Sequence, residues 1–446
     1  IQIIMHSSRR KFIRNTSTLL AGGTITAAIP ASGIRSPRLR NPANEKVVVG
    51  LIGARNMGFG DLENALKLPG VECAAICDID ENILAERTAQ VGKIQGKVPD
   101  RIKDFQKLLD RKEIDAVIIG TPDHWHCLPF IYACQSGKDI YVEKPLANSI
   151  GECELMVAAT RKDKRVVQVG QQQRSGDHWN KIVSHIQSGK IGQLRKVKVW
   201  GNFNYGIGQP VVPDEPVPAG VDFDRWLGPA PLRSFNKSRF HGSWRMFWDY
   251  GGGLLTDWGV HLLDMALWSK NINYTPLSVT ATGGNFSFPD HAHETFDTMN
   301  VEYQLKDILI SWEHTAGTQQ GPYNRSYGLA FIGNDATLVA DRQGWEVFPE
   351  SENGNFKVPA IPRQPGRDSH AEHMKNFIDC IKSRKDPNCT IENGRLVALY
   401  SHMGNIALRT RSKLEWNDTI KNFGDNRAAN ALIMPTYRKP WQLPIV

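Results

Sequence analysis

The hydrophobic pattern of the chain changes abruptly at Lys46. From there, polar helix-like stretches alternate with short continuous apolar runs, at 47–53, 71–77, 114–120 and 139–142. Continuous apolar runs of this length are typical of strands that are buried on both faces of a sheet. Strands that alternate with helices predict an α/β fold, so we expect a doubly wound parallel sheet in the first half of the chain.

The second half shows a different pattern, in which apolar and polar residues alternate. Alternation occurs at 194–199, 277–282, 300–305 and 308–312. A period of two is typical of strands with one covered face, so we expect a C-terminal α+β domain with an open, mainly antiparallel sheet. Helical patterns at 369–383 and 394–411 close the chain. The proline-rich stretch 210–231 is expected to form a long loop that covers the functional site or reaches a neighbouring subunit.

These patterns predict three parts of the chain. Its 446 residues exceed the usual size of one domain. We expect the parallel-sheet domain at 45–170 and the α+β domain at 171–446. Residues 1–44 show neither pattern and are interpreted as a targeting segment with a linker.

The predicted targeting segment resembles a twin-arginine export signal. Ser8-Arg9-Arg10-Lys11-Phe12-Ile13 is followed by a weakly hydrophobic stretch at 18–29 and by small residues at 27–32, where a signal peptidase can cut. This leader predicts a periplasmic or secreted protein. No run of eighteen apolar residues occurs, so no membrane span is expected.

The charge of the chain argues against a nucleic-acid partner. The formal net charge is +8, but seven of the 54 basic residues lie in 1–44, which contain no acidic residue. The remainder has 47 basic and 46 acidic residues, so the folded part is nearly neutral.

A glycine-bearing turn follows the first predicted strand. The turn, residues 53–58, has the spacing of the dinucleotide fingerprint, but Arg55 replaces its second glycine. Asp78, about 20 residues beyond Gly58, ends the second strand, where an acid accepts hydrogen bonds from ribose hydroxyls. The turn therefore predicts a Rossmann domain with a nicotinamide cofactor. Asp78 favours NAD, whereas Arg55 leaves NADP open.

Two later motifs carry candidate chemistry. Glu143-Lys144-Pro145 directly follows the strand 139–142, at the carboxyl edge of the sheet, where ligands bind. Three glycines at 251–253 then open a predicted helix that carries Asp257 and His261, four residues apart on one face.

With these motifs the chain resembles the Gfo/Idh/MocA oxidoreductases, which include glucose-fructose oxidoreductase and inositol dehydrogenase. The resemblance covers residues 45–446 and implies that Lys144, Asp257 and His261 are catalytic and surround the nicotinamide. It also implies a homodimer or homotetramer that associates through the C-terminal sheet. The expected cofactor contacts are Gly53, Arg55, Asn56, Met57, Gly58, Asp78, Thr121, Pro122, His126, Glu143, Lys144 and Gln172.

The substrate implied by the resemblance is a sugar or polyol. Aromatic residues at 240–250 suit the apolar faces of sugars, although a core or subunit contact explains them equally well. The expected substrate contacts are His124, Trp125, Arg174, Arg245, Tyr250 and Trp258. The pairs His124/His126 and His291/His293 lack further metal ligands in the sequence, so no metal site is expected.

Oxidation of a sugar hydroxyl needs a proton acceptor. His261 suits this role at neutral pH, with Lys144 assisting; the opposite assignment remains open, as does a core role for His261. The predicted function is an NAD(P)-dependent oxidoreductase that acts on a sugar, glycoside or polyol hydroxyl. The alternatives are an NAD-dependent glycoside hydrolase, which oxidises its substrate transiently, and a cofactor-binding protein without catalysis.

Overall fold

The computed structural model describes residues 46–446, so the predicted leader lies outside the described residues. The first half contains a sheet of six parallel strands in the order β3-β2-β1-β4-β5-β6. Its elements are β1 (Val47–Ile52), α1 (Asn56–Leu66), β2 (Val71–Cys77), α2 (Glu81–Gln95), β3 (Asp100–Ile102), α3 (Phe105–Leu109), β4 (Ala116–Ile119), α4 (Cys127–Gln135), β5 (Asp139–Val142), α5 (Ile150–Asp163) and β6 (Val167–Val169).

This sheet confirms the predicted Rossmann fold. All four residues of β4 and of β5 are buried, as continuous apolar runs require. β1 ends at Ile52 because Gly53 has a φ of +86° and turns the chain away from the sheet. The carboxyl ends of β1, β4 and β5 therefore lie side by side at one edge of the sheet.

The second half contains further helices and strands. They are α6 (Asp177–Gln187), β7 (Lys196–Gly201), β8 (Gln209–Pro210), α7 (Phe223–Leu227), α8 (Val260–Ser269), β9 (Ser278–Gly284), β10 (His291–Ala292), β11 (Thr298–Gln304), β12 (Leu309–Thr315), β13 (Tyr327–Ile332), β14 (Ala336–Asp341), β15 (Gly344–Pro349), β16 (Ser351–Glu352), β17 (Asn355–Phe356), β18 (Ile361–Pro365), α9 (His370–Ser383), α10 (Ile391–Thr410) and α11 (Arg427–Asn430).

Eight of these strands form an open sheet in the order β18-β15-β14-β13-β7-β12-β11-β9. All neighbours are antiparallel except β7 and β12, which are parallel. Helices α6, α8 and α10 cover one face, and their core includes Trp179, Leu262, Tyr400 and Trp312. The expectation of a mainly antiparallel sheet is confirmed.

The proline-rich stretch 210–231 reaches the Rossmann domain. The Glu81 amide donates to the Gly220 carbonyl at 2.9 Å, and the Asp222 amide donates to the Ile79 carbonyl at 3.0 Å. Glu81 and Ile79 both lie just after β2, near the edge of the sheet that carries the cofactor turn. Within its own chain the stretch therefore lies beside the edge of the sheet that carries the cofactor turn, which agrees with its expected covering role.

Among residues 46–446, no helix has the length and apolar character needed to cross a membrane. The seven cysteines are buried and unpaired, so Cys380 and Cys389 form no disulfide. Within the same range, no group of three or more His, Cys, Asp or Glu residues is arranged to hold a metal ion.

Candidate active site

A cleft lies at the carboxyl edge of the Rossmann sheet. Its floor is formed by the turns after β1, β2, β4 and β5, which bring Gly53, Asp78, Thr121 and Lys144 together. Its opposite wall comes from the second domain.

The glycine turn explains why Arg55 is compatible with this fold. Glycine is required at Gly53, where φ is +86° and a Cβ would lie 2.7 Å from the Thr121 nitrogen. It is also required at Gly58, where a Cβ would lie 2.3 Å from the Gly53 carbonyl oxygen. Arg55, however, is the N-cap of α1 with φ −95° and ψ 161°, a conformation open to any residue. The departure from the fingerprint therefore falls where no glycine is needed.

The residues present fit a dinucleotide. The N-cap Arg55 makes no side-chain cap hydrogen bond, and the first turn of α1 contains no acidic residue. The first amides of this helix thus lack side-chain acceptors, which suits a pyrophosphate. Asp78 lines the cleft while its two oxygens accept from the amides of Ala54, at 2.7 Å, and Asp80, at 3.0 Å. Each oxygen keeps a lone pair for a ribose hydroxyl.

Lys144 and Asp257 form an ion pair between the two domains. Lys144 Nζ lies 2.6 Å from Asp257 Oδ1 and also donates to the main-chain carbonyl of Asp257 at 2.9 Å. The side chains are largely buried, with exposed fractions of 9% and 12%. Arg245 Nε lies 3.2 Å from the same Oδ1, and the Tyr205 hydroxyl donates to Oδ2 at 2.9 Å. Although burial opposes ionisation, Lys144 and Arg245 hold the pKa of Asp257 well below its usual range.

A π-helical turn, Leu255–Gly259, places Asp257 in this pair. The helix predicted after the three glycines is present, but its first full turn is wider than an α-helical turn, a feature common at functional sites. His261 lies one turn further, in α8, and its Nδ1 is buried without a hydrogen-bond partner among residues 46–446. Burial, aided by the charges of Arg342 and Lys144, lowers the pKa of His261 well below 6.5, so the ring is neutral at pH 7.

Two further carboxyls line the cleft. Burial raises the pKa of Asp123 to about 8, although the charges of Arg245 and Lys144 oppose this. Burial, together with the nearby Asp61, raises the pKa of Glu143 to about 8. Burial thus favours the neutral form of Asp123 and Glu143, whereas the charges of Lys144 and Arg245 favour the ionised form of Asp257.

Two predicted substrate contacts lie elsewhere. The sequence predicts that His124 and Tyr250 face the substrate, but both rings are buried in an aromatic cluster around Trp226. The centroids of His124 and Tyr250 lie 5.1 Å apart, and burial lowers the pKa of His124 to about 4. Tyr250 belongs to a small hydrophobic core formed by 223–250, and the His124 ring packs against the Trp226 ring of that core.

The predicted substrate role of Arg174 is also corrected. Arg174 Nε lies 2.8 Å from Asp264 Oδ2 and Nη2 lies 2.7 Å from Oδ1, and both side chains are buried in the second domain. Its guanidinium is therefore occupied by a structural partner. Asp264 lies three residues after His261. Nothing in the local sequence distinguishes it from a solvent-exposed acid.

The remaining predicted contacts differ in where they lie relative to the cleft. Most line the cleft: Gly53, Arg55, Asn56, Met57, Asp78, Thr121, Pro122, Trp125, Glu143, Lys144 and Arg245. His126 and Gln172 are buried behind its wall instead. The two ring nitrogens of His126 lie 2.7 Å and 2.9 Å from the carbonyl oxygens of Pro145 and Thr121, and Gln172 donates to Glu143 at 3.3 Å. They position cleft residues, which corrects their predicted contact with the cofactor.

Trp258 lies beside His261, with ring centroids 5.9 Å apart. It stacks on Phe203 at 4.5 Å and under the Arg342 guanidinium at 4.6 Å. Tyr205 lies next to Phe203, at 5.5 Å. This aromatic wall is a different platform from the predicted one at 240–250.

Sequence reasoning missed four residues of the site: Tyr205, Asp123, His241 and Trp441. Asp123 lies between Pro122 and His126, two predicted contacts, and this position in the sequence could have identified it. Tyr205 and Trp441 come from a loop and from the C-terminal tail, where no periodic pattern marks them. His241 contacts Asp80 Oδ2 through Nε2 at 3.1 Å and so joins the second domain to the end of β2.

Residues 47–171 match the model of the oxidoreductase family, NAD-binding Rossmann fold, and residues 178–319 and 353–443 match that of the family's C-terminal alpha/beta domain. The chain belongs to the Gfo/Idh/MocA oxidoreductase family. Its N-terminal domain is an NAD-binding Rossmann domain, as the glycine turn and Asp78 predict.

Curated relatives cover different shares of the chain. The uncharacterized oxidoreductase YrbE of Bacillus subtilis is 23% identical over 361 residues, 78% of this chain and 91% of that protein. A glycosyl hydrolase family 109 protein of Shewanella putrefaciens is 29% identical over 206 residues, 43% of this chain and 45% of its own length. The alpha-N-acetylgalactosaminidase of Shewanella oneidensis is 28% identical over the same shares. The chain thus spans less than half the length of these glycosidase relatives.

Solved structures share the fold. The WlbA dehydrogenase from Bordetella pertussis, in complex with NADH and UDP-GlcNAcA, gives a TM-score of 0.63 at 18% identity and covers 84% of this chain and 99% of its own. A levoglucosan dehydrogenase, in complex with NADH and levoglucosan, gives 0.63 at 19% and covers 83% and 99%.

Proposed function

We propose that this protein is an NAD-dependent oxidoreductase that acts on a secondary hydroxyl of a sugar, glycoside or polyol. The observation that carries the proposal is the buried Lys144–Asp257 ion pair, which lies at the cleft of the NAD-binding domain. NAD supplies the hydride acceptor when it is bound. The residues of this chain supply orientation and proton transfer.

Lys144 and His261 divide the chemistry of the hydroxyl. Two hydrogen bonds from the Lys144 ammonium are taken by Asp257, and a third N–H remains for the substrate oxygen. This ammonium stabilises negative charge on the oxygen as its proton leaves. His261 is neutral and accepts that proton, and Asp257 holds Lys144 in place.

The surroundings of this pair suit a carbohydrate. Trp258 and Tyr205 form an aromatic wall next to His261, and Arg245, stacked on Trp244 at 4.2 Å, supplies a fixed donor. Sugars combine apolar faces with hydroxyl rims, and aromatic rings beside charged donors match both. The solved WlbA and levoglucosan dehydrogenases carry sugar ligands on the same fold, which supports this substrate class.

A second candidate is redox-neutral glycoside cleavage. The family 109 glycosidases among the relatives favour it, because they share 28–29% identity over 43% of this chain. In such a reaction the oxidation and the later reduction cancel, and the net change is hydrolysis. Lys144, Asp257 and His261 would serve the same proton transfers. Release of chromophore from a nitrophenyl glycoside, without net change in NADH absorbance, distinguishes this candidate from a dehydrogenase.

The leader motif at 8–13 supports export by the twin-arginine route. Membership of the family supports a homo-oligomer that forms through the C-terminal sheet. A protein exported in the folded state carries its cofactor with it. Fusion of residues 1–44 to a reporter tests the export, which should fail when Arg9 and Arg10 are replaced by lysine. Light scattering tests the oligomeric state, and a monomer would contradict the proposed assembly.

The decisive experiment uses the purified protein. Any co-purifying nucleotide is identified, and absorbance at the NADH band is followed while a panel of sugars, polyols and glycosides is added. Turnover with one class supports the proposal. Failure to bind NAD rules it out, whereas NAD binding without turnover on the whole panel favours a cofactor-binding protein that is not an enzyme.

A further inference from the structure

The last residues of the chain, 433–446, return to the Rossmann domain and are called here the C-terminal tail. The Gly151 amide donates to the Ile433 carbonyl at 2.8 Å, and the Tyr437 hydroxyl donates to Glu152 at 2.5 Å. Near the end, the Gln135 side chain donates to the Ile445 carbonyl at 3.0 Å. The tail is thus attached to α4 and α5 at both of its ends.

The middle of the tail is attached to the second domain. Arg438 donates through Nη1 to the Asp224 carboxylate at 2.7 Å and through Nε to the Gly228 carbonyl at 3.1 Å. Its backbone amide donates to the Pro229 carbonyl at 2.9 Å. These acceptors belong to or directly follow α7, the helix of the loop that covers the cleft. The tail therefore ties this covering loop to the Rossmann domain.

Trp441 lies between these attachments and lines the NAD cleft. Its ring meets Trp125 edge-on, with centroids 4.9 Å apart, and Trp125 meets Phe105 in the same way at 6.0 Å. The Trp441 indole N–H is buried and has no acceptor among residues 46–446, which is an unsatisfied donor at the cleft wall. Three aromatic rings from distant parts of the chain thus form one wall.

We propose that Trp441 is a cofactor-binding residue and that the C-terminal tail retains NAD in the cleft. This inference rests on the proposed function, since it names a residue of the same site. Aromatic surface against a dinucleotide contributes to its affinity. The attachment to both domains keeps that surface in place, so release of the cofactor requires the tail or the covering loop to detach.

The test measures how fast the loaded protein loses NADH. The full chain is saturated with NADH, excess NAD is added, and the decay of bound NADH fluorescence gives the dissociation rate. Trp441→Ala is expected to raise this rate about tenfold, whereas Trp441→Phe, which keeps an aromatic ring, raises it less. Ile445→Ala is the matched control, because Ile445 lies in the same tail with 91% exposure and does not line the cleft.

Arg438→Ala is a second test variant, which leaves every residue that lines the cleft unchanged. It is expected to raise the NADH dissociation rate because it frees the tail from α7. The inference is overturned if folded Trp441→Ala and Arg438→Ala proteins both release NADH at the wild-type rate. If Trp441→Ala does not fold, the NADH dissociation rates of Trp441→Phe and Arg438→Ala are compared with the wild-type rate instead, and wild-type rates in both overturn the inference. If the wild type binds no NADH, it is the proposed function that fails.

Discussion

Lys144 Nζ lies 2.6 Å from Oδ1 of Asp257, although 113 residues separate the two in the chain. Lys144 lies two residues after the end of β5, and Asp257 lies in the π turn before α8. The ion pair therefore joins the cofactor domain to the second domain at the candidate active site. Its geometry leads to several measurable outcomes.

Replacement of Lys144 should abolish most of the turnover without loss of NAD. Lys144→Ala removes the ammonium that stabilises charge on the reacting oxygen, and kcat/KM should fall about 10²- to 10³-fold. Lys144→Arg should not restore activity, because a planar guanidinium cannot occupy the position of a compact ammonium. NADH binding, measured by fluorescence, is the control. Near wild-type turnover in Lys144→Ala would show that the site is elsewhere.

Tyr205 should affect turnover mildly. Tyr205→Phe removes one hydrogen bond to Oδ2 of Asp257 but leaves the ion pair, so kcat/KM should fall about three- to tenfold. Tyr323→Phe is a suitable control, since Tyr323 is an exposed tyrosine away from the cleft. Steady-state kinetics on both variants check this, and an unchanged rate in Tyr205→Phe would exclude a role for the hydroxyl.

The pH profile should report the environment of His261. Burial, followed by the charges of Arg342 and Lys144, lowers the pKa of this ring well below 6.5. His261 thus stays neutral as the pH falls through 6.5, and the acid limb of kcat/KM should lie below that value. Arg342→Gln removes a positive charge and should move the limb to higher pH. A wild-type limb at 6.5 or above would contradict the assignment.

Asp123 should make stability depend on pH. Burial raises its pKa from 3.8 to about 8, so the folded state prefers the neutral carboxyl. Its contribution to stability is complete below pH 3.8 and is lost as the pH rises towards 8. Asp123→Asn cannot ionise, so this variant should gain in unfolding free energy relative to wild type between pH 5 and pH 8. Urea denaturation at both pH values measures the difference, and an equal difference at both would count against the burial of this carboxyl.

Arg174 should be a stability residue and not a substrate contact. Arg174→Ala leaves the buried Asp264 carboxylate unpaired, which costs about 3–5 kcal/mol. The double variant Arg174→Met with Asp264→Leu should recover most of this loss, because no buried charge remains. Urea unfolding and KM are both measured. A raised KM with unchanged stability in Arg174→Ala would restore the substrate role that the sequence predicts.

The order of the elements and the position of the NAD domain could be predicted from the sequence. Short, largely apolar runs identify β1, β2, β4 and β5, because most residues of these strands are buried in the sheet. Asp78 and the turn at 53–58 could be predicted in the same way, since strand, turn and helix follow one another within the chain. The position of Lys144 near the end of β5 could also be predicted, because its motif directly follows the strand in the chain.

Partnerships between distant residues depended on the tertiary structure. Arg174 precedes α6 and resembles a cleft residue in the sequence, yet it pairs with Asp264 because α6 and α8 pack together. His124 and Tyr250 resemble a sugar platform, yet they fill a small core with Trp226. A local pattern specifies that a side chain is charged or aromatic, but the packing of other segments decides which partner it meets.

The sequence by itself thus determined the Rossmann sheet, the cofactor turn and the two motifs that carry Lys144 and Asp257. Only the tertiary structure decided that these two residues form one ion pair and that Tyr205 and Trp441 join the site. The physical reason is distance along the chain. Periodicity and turn chemistry act over a few residues, whereas the approach of residues 113 apart follows from the packing of whole domains.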